Sequence, residues 1–191
     1  PERALMDGIP VVPYFNQCQD SDVKEYEISC DKEKVGTLCT SGCGPTSMNM
    51  ILEYYGIPAD NWFFFNSDGP GTCFHKEGYS ADDLLKFARH YQINARIRKD
   101  ATWDDLVLAS NNGPLVLLQN QEMADMCDID ISNLDRPYCT GGHYIVINYA
   151  SDVPNDQFVV ANDPFTGFGD DVSKSVGNNI VYSKEELEKA W

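Results

Sequence analysis

Long apolar runs are missing from this sequence, and none approaches the roughly 20 residues needed to cross a bilayer. Positive charge is scarce as well: 14 Lys and Arg stand against 30 Asp and Glu, for a formal net charge of -16. Such a surface repels phosphate backbones and anionic lipid headgroups, so neither nucleic acid nor a membrane is an expected partner. The acidic residues are spread out, as Asp20, Asp22, Asp82, Asp83, Asp170 and Asp171 illustrate, which suits a solvated surface. The opening PERALMDGIP lacks the basic-then-apolar pattern of a signal peptide, so an exported form is expected to have lost its signal already. Internal repeats, low-complexity linkers and CxxC pairs of the zinc-ribbon kind are also missing.

What is present suits a single domain spanning 1–191, since 42% of the residues are hydrophobic and 12% aromatic. Seven cysteines, Cys18, Cys30, Cys39, Cys43, Cys73, Cys127 and Cys139, are many for a reduced compartment. The odd count fits one free thiol and six cysteines joined as three disulfides, with fifteen connectivities open. Cys127 with Cys139 is the first pairing to expect, and the compartment is expected to be oxidising: secreted or otherwise extracytoplasmic.

Along the chain, residues 20–40 are polar, hold two cysteines and read as a surface loop. In Ser41-Gly42-Cys43-Gly44-Pro45-Thr46-Ser47 a helix begins, with Met48, Ile51, Leu52 and Tyr55 on one face and Gly56 and Pro58 as its stop. Ser80 with Asp83 and Thr102 with Asp105 are capping signals for two more helices, the first carrying Leu84, Leu85, Ala88 and Tyr91 inward. Residues 93–98 and 114–118 read as strands. Tyr144 to Tyr149 and Gln157 to Asn162 flank the turn-forming stretch 151–156 and predict an antiparallel hairpin. Ile180 to Tyr182 predicts a further strand, and Ser183 with Glu186 caps a last helix that turns Leu187 and Trp191 inward. Helices first and a sheet afterwards make the fold class α+β.

Chemistry concentrates at Cys43. A helix N-terminus offers unpaired amides and partial positive charge, both of which favour the nucleophilic thiolate, and the flanking glycines leave the sulfur uncovered. A thiol nucleophile needs an imidazole oriented by a third group. His75 and His90 read as surface residues, whereas His143 follows Gly141-Gly142 at the start of a strand. A hairpin with its turn near Val153 places residue 163 opposite residue 143. Asp163 is then the orienting carboxylate, and a register slip of one residue puts Asn162 there instead. A side-chain amide for a developing oxyanion is offered by Gln17, with Asn16 as the alternative. Asp163, Asp170 and Asp171 lack the ligand spacing of a calcium loop, so no metal and no cofactor is expected. Trp62 to Phe65 and Asp68 to Gly71 are candidate borders of the cleft.

These motifs resemble the papain-like cysteine peptidases related to the bacteriocin-processing, double-glycine leader peptidases. The resemblance rests on Val12-Pro13-Tyr14-Phe15-Asn16-Gln17, on Ser41 to Met48 leading to Tyr55-Gly56, on Gly142-His143-Tyr144-Ile145-Val146-Ile147, on Asn162-Asp163-Pro164 and on Tyr182 to Trp191. It implies a papain-like α+β fold with Gln17 as oxyanion donor, Cys43 as nucleophile, His143 as general base and acid, and Asp163 as its orienter. It further implies a stand-alone, secreted, monomeric hydrolase that cleaves a peptide or isopeptide bond in a protein or peptide substrate through an acyl-enzyme. Glutamine deamidation, acyl transfer to an amine, or a binding module without activity are the alternatives. The chain departs from the transporter-linked peptidases in having no membrane region, no nucleotide-binding segment and more cysteines, so their double-glycine substrate does not carry over.

Overall fold

The computed structural model describes residues 9–18, 27–30, 33–37, 42–58, 79–119, 142–165 and 177–191. In chain order these form β1 (Glu27–Cys30), β2 (Glu33–Thr37), α1 (Cys43–Tyr54), α2 (Ala81–His90), α3 (Trp103–Ser110), β3 (Leu115–Gln119), β4 (His143–Ala150), β5 (Phe158–Asn162), β6 (Ile180–Ser183) and α4 (Lys184–Ala190). Strands β3 to β6 make a four-stranded sheet in sequence order with every pairing antiparallel.

The sheet is covered on both faces, which explains the unbroken burial of Tyr144 to Ile147 in β4. On one face Tyr144 packs with Met48, Leu52 and Leu84, and Val146 with Val12, Met50 and Ile51. On the other, Ile145 and Ile147 pack with Trp103 and Leu106 of α3, Tyr182 of β6 and Leu187 of α4. Alternate side chains of a strand point to opposite faces, so a single strand joins three clusters, two on one face and one on the other. Each fully buried Ile, Leu or Met contributes about 1.5–3 kcal/mol, and Met50, Leu52, Ile145 and Ile147 are all 0% exposed.

The three capping signals form as expected. Ser80 with Asp83, Thr102 with Asp105 and Ser183 with Glu186 each close a reciprocal capping box at the start of α2, α3 and α4. Leu187 is buried, and Trp191 packs partly buried against the α3 cluster.

Four expectations change. Residues 27–37, read as loop, contain an antiparallel hairpin pairing Glu27 with Thr37 and Cys30 with Glu33; a two-stranded ribbon can be held by backbone hydrogen bonds without the apolar alternation that betrays a strand. Residues 93–98 alternate between half-buried and exposed, as a strand would, yet pair with no strand among the described residues. The face of α1 is wider than a stripe: Gly44 through Leu52 are all buried, whereas Tyr55, counted inward, is 49% exposed at the C-cap. In α2 the deepest residue is Phe87, at 0%, with Leu85 only half-buried. Among the described residues no helix is long and apolar enough to cross a membrane.

Candidate active site

Cys43 opens α1 as its first helical residue. Gly42 caps the helix without a side chain, no acidic residue stands in the first turn, and the turn closes through the Thr46 N–H on the Gly42 carbonyl at 2.9 Å. The amides of a helix's first turn have no partner within the helix; Pro45 carries none, and the Gly44 N–H is the one in this turn that reaches the sulfur. Gly44 serves packing more than access: a Cβ there would lie 3.3 Å from both Leu84 Cδ2 and Tyr144 Cδ2. The missing side chain lets α1 settle on β4, where Ser47 Oγ donates to the Tyr144 carbonyl at 3.2 Å and the Tyr144 hydroxyl donates to the Tyr79 carbonyl at 2.9 Å. These contacts flank Cys43, one turn before Ser47, and His143, next to Tyr144.

His143 is the first residue of β4, and its Nε2 lies 2.8 Å from Asp163 Oδ1. A carboxylate can only accept, so Nε2 carries the proton and Nδ1 is left to face the thiol. Burial by itself pushes the Cys43 thiol up, but the hydrogen bond and charge of His143, helped by the backbone amides of Tyr144 and Gly44, hold it below the ordinary thiol value. Burial likewise pulls His143 down, and is outweighed by the Asp163 charge and hydrogen bond together with the Cys43 interaction, which raise it. Both directions favour a thiolate and an imidazolium. Cys43 is half-buried and the His143 side chain is 25% exposed, so the pair remains reachable.

The carboxylate arrives by a register different from the expected one. Strand β4 pairs with β5 as Val146 with Asn162 and Ile147 with Ala161, then, past a bulge at Asn148, as Tyr149 with Val160 and Ala150 with Val159. Continuing the first pairs sets residue 163 across from 145, two positions from the expected 143. A shift of two preserves the face, so Asp163 is a diagonal neighbour of His143 and still within reach. Beyond the end of β5, the Asp163 N–H turns to the Gly177 carbonyl at 2.8 Å, and Oδ1 also accepts the Phe165 N–H at 2.8 Å. The Tyr182 hydroxyl lies near the same carboxylate; burial, then the Asp163 charge, raise that phenol above its usual range. Asn162 points away and is fully occupied elsewhere, which decides between the two candidates.

Gln17 is buried at 3% and its N–H donates to the Pro164 carbonyl at 2.9 Å, next to Asp163 in the chain. The competing Asn16 is spent on a local turn, with its amide nitrogen on the Tyr14 hydroxyl at 3.3 Å and its Oδ1 accepting the Cys18 N–H at 2.8 Å. His90 lies exposed at the end of α2 against Tyr91, as expected. His75, Trp62 to Phe65, Asp68 to Gly71, Asp170, Asp171, Cys127 and Cys139 lie outside the described residues. Among the described residues no group of three His, Cys, Asp or Glu side chains could hold a metal ion. Sequence reading missed Tyr182 and Phe165, whose ring stands 6.1 Å from that of His143. Alternation along β5 could have found Tyr182 only with the β5–β6 register, Val159 opposite Tyr182, in hand.

A profile of the Peptidase_C39 like family matches residues 9–191. Among solved structures, the chain is similar to a C39-like peptidase from Bacillus anthracis at 19% identity and a TM-score of 0.53, covering 94% of this chain and 88% of that one. It is also similar to a double glycine motif protease from an AMS/PCAT transporter in complex with the leader peptide, at 16% identity and a TM-score of 0.43, covering 97% and 89%. A search of curated proteins finds no match. The first likeness establishes the fold as the α+β fold of papain-like cysteine peptidases.

Proposed function

This chain belongs to the Peptidase_C39 like family and is a cysteine peptidase, and from that premise we propose that it hydrolyses a peptide or isopeptide bond through an acyl-enzyme on Cys43. The Cys43 thiolate attacks the scissile carbonyl carbon. The electron pair moves to the carbonyl oxygen, which is received by the Cys43 backbone N–H and the Gln17 side-chain amide. His143, protonated at the nitrogen facing the sulfur, gives that proton to the departing amine as the C–N bond breaks. A thioester remains. His143 then takes a proton from water, the resulting hydroxide attacks the thioester, and the thiolate leaves with the imidazolium restored. Asp163 keeps the Nε2 proton in place and offsets the imidazolium charge throughout.

The observation that carries this reading is the line of Cys43 at an uncapped helix N-terminus, His143 beside it, and Asp163 at 2.8 Å from the far side of the ring. We assign the protein to an oxidising, extracytoplasmic compartment, supported by an odd count of seven cysteines of which Cys43 is free. The test is to incubate wild type and Cys43→Ala with a peptide library and, in a separate reaction, with an iodoacetamide-based thiol probe, with products read by mass spectrometry. Wild type is expected to label at Cys43 and break chains, and the variant to do neither. Cleavage that survives in Cys43→Ala refutes the assignment, and a mass gain of about one dalton without cleavage would mark a deamidase instead.

A further inference from the structure

The three residues Asn162-Asp163-Pro164 reach in two directions. Asp163 serves His143, while its neighbours hold the segment that carries Gln17. Asn162, 0% exposed, donates its Nδ2 to the Val12 carbonyl at 3.1 Å, and the Pro164 carbonyl accepts the Gln17 N–H at 2.9 Å. The segment from Val12 to Gln17 is thus pinned near both ends to one short stretch of chain. Asn162 Oδ1 in turn accepts Asn148 Nδ2 at 3.0 Å and the Asn179 N–H at 2.9 Å, and Asn148 Nδ2 also reaches Asn179 Oδ1 at 3.0 Å. Asn148 is the bulged residue of β4 and is 0% exposed. Asn179 has φ of 53°, a left-handed conformation that asparagine tolerates better than most residues. The Asn162 amide is therefore locked on its oxygen side by two strands' worth of structure, leaving its nitrogen aimed at Val12.

We infer that Asn162 is a positioning residue of the oxyanion site: it sets Gln17 through Val12 and takes no part in the Cys43–His143–Asp163 line. This rests on the reading of Gln17 as oxyanion donor. Strand alternation separates the two roles, because Asp163 lies on the α3 and α4 face of the sheet and Asn162 on the face that Val12 shares with Val146, Met50 and Ile51.

Two small reagents distinguish oxyanion stabilisation from thiolate supply on the same sulfur. With p-nitrophenyl acetate the thiolate attacks the ester carbonyl, passes through a tetrahedral oxyanion, and forms an acetyl thioester as p-nitrophenolate leaves. With iodoacetamide the thiolate displaces iodide to give a thioether, and no oxyanion forms. Gln17→Ala is expected to slow acetylation by about 100-fold, in line with loss of one oxyanion donor, and to leave alkylation within about twofold. Asn162→Ala should slow acetylation about tenfold with alkylation unchanged, and the double variant should be no slower than Gln17→Ala alone, since coupled residues are not additive. Asn162→Asp keeps the oxygen that Asn148 and Asn179 use but sets a second acceptor against the Val12 carbonyl and buries a charge, so it should slow acetylation at least as much as Asn162→Ala; near-UV circular dichroism of each variant checks that it is folded. Multiplying effects in the double variant, or alkylation falling as much as acetylation, overturn the inference while leaving Gln17 as donor. Acetylation untouched by Gln17→Ala removes the oxyanion reading itself, and this inference with it.

Discussion

Taking the charge off Asp163 is the sharpest perturbation of the catalytic line. The His143–Asp163 contact is 2.8 Å long, with side chains 25% and 12% exposed, so solvent screens it little. A hydrogen bond to a charged group contributes about 1.5–3 kcal/mol, and a neutral one about 0.5–1.5 kcal/mol. Asp163→Ala removes the whole interaction and also leaves the Phe165 N–H without its acceptor. At about 1.4 kcal/mol per decade, the thiolate–imidazolium population should fall by roughly 10- to 150-fold. Asp163→Asn can still offer an oxygen to Nε2–H and to Phe165, so it loses charge without geometry and should fall by only about 5- to 10-fold on the same scale. The assay is the second-order rate of Cys43 alkylation by iodoacetamide, read by mass spectrometry at the acidic foot of the pH profile, where rate follows thiolate population. Cys43→Ala supplies the blank. Equal losses in the Ala and Asn variants would mean that the charge alone matters and the contact geometry adds nothing, and rates within twofold of wild type in both would refute the role of Asp163.

Other consequences can be checked alongside. Because Cys43 is lowered, alkylation should rise through a midpoint below the ordinary thiol range; because His143 is raised, cleavage should persist until the pH passes above the ordinary imidazole range and strips the imidazolium of the proton it gives the leaving amine. A midpoint at the ordinary thiol value would contradict the ion pair. Tyr182→Phe removes one hydroxyl from Asp163 and should cost about 1 kcal/mol of stability, with a smaller loss of alkylation than Asp163→Asn; an unchanged Tm would sink it. Thr102→Ala opens the capping box of α3, on the sheet face opposite α1, at a cost of about 1 kcal/mol. That is a Tm drop of about 2–4 °C for a chain of this size, with the alkylation rate of Cys43 unaffected.

Much of the architecture was legible because it is local. The three capping boxes need only a side chain and an amide three residues apart, so Ser80, Thr102 and Ser183 announced their helices without reference to anything distant. Cys43 belongs to the same class, since Gly42, Gly44 and Pro45 place it at a helix start by backbone preference alone. Face alternation along β5 also sufficed to put Asp163 and Asn162 on opposite sides of the sheet, and it survived a register error because that error was an even number of residues.

What chain-local reasoning could not supply is where separate elements meet. The bulge at Asn148 and a turn centred later than Val153 decided the pairing of β4 with β5, and both depend on the buried asparagine cluster that joins β4, β5 and the residues before β6. Local pattern likewise could not say that Gly44 is small to admit Tyr144 and Leu84, or that Tyr182 ends at the carboxylate. The sequence by itself determined the cysteine at its helix N-terminus, the histidine at its strand start and the carboxylate's face, because short-range backbone sterics and two-residue alternation govern those. The tertiary structure decided the distances among them, because packing across the sheet, spanning 97 residues from Ser47 to Tyr144 and 150 from Val12 to Asn162, is what brings them together.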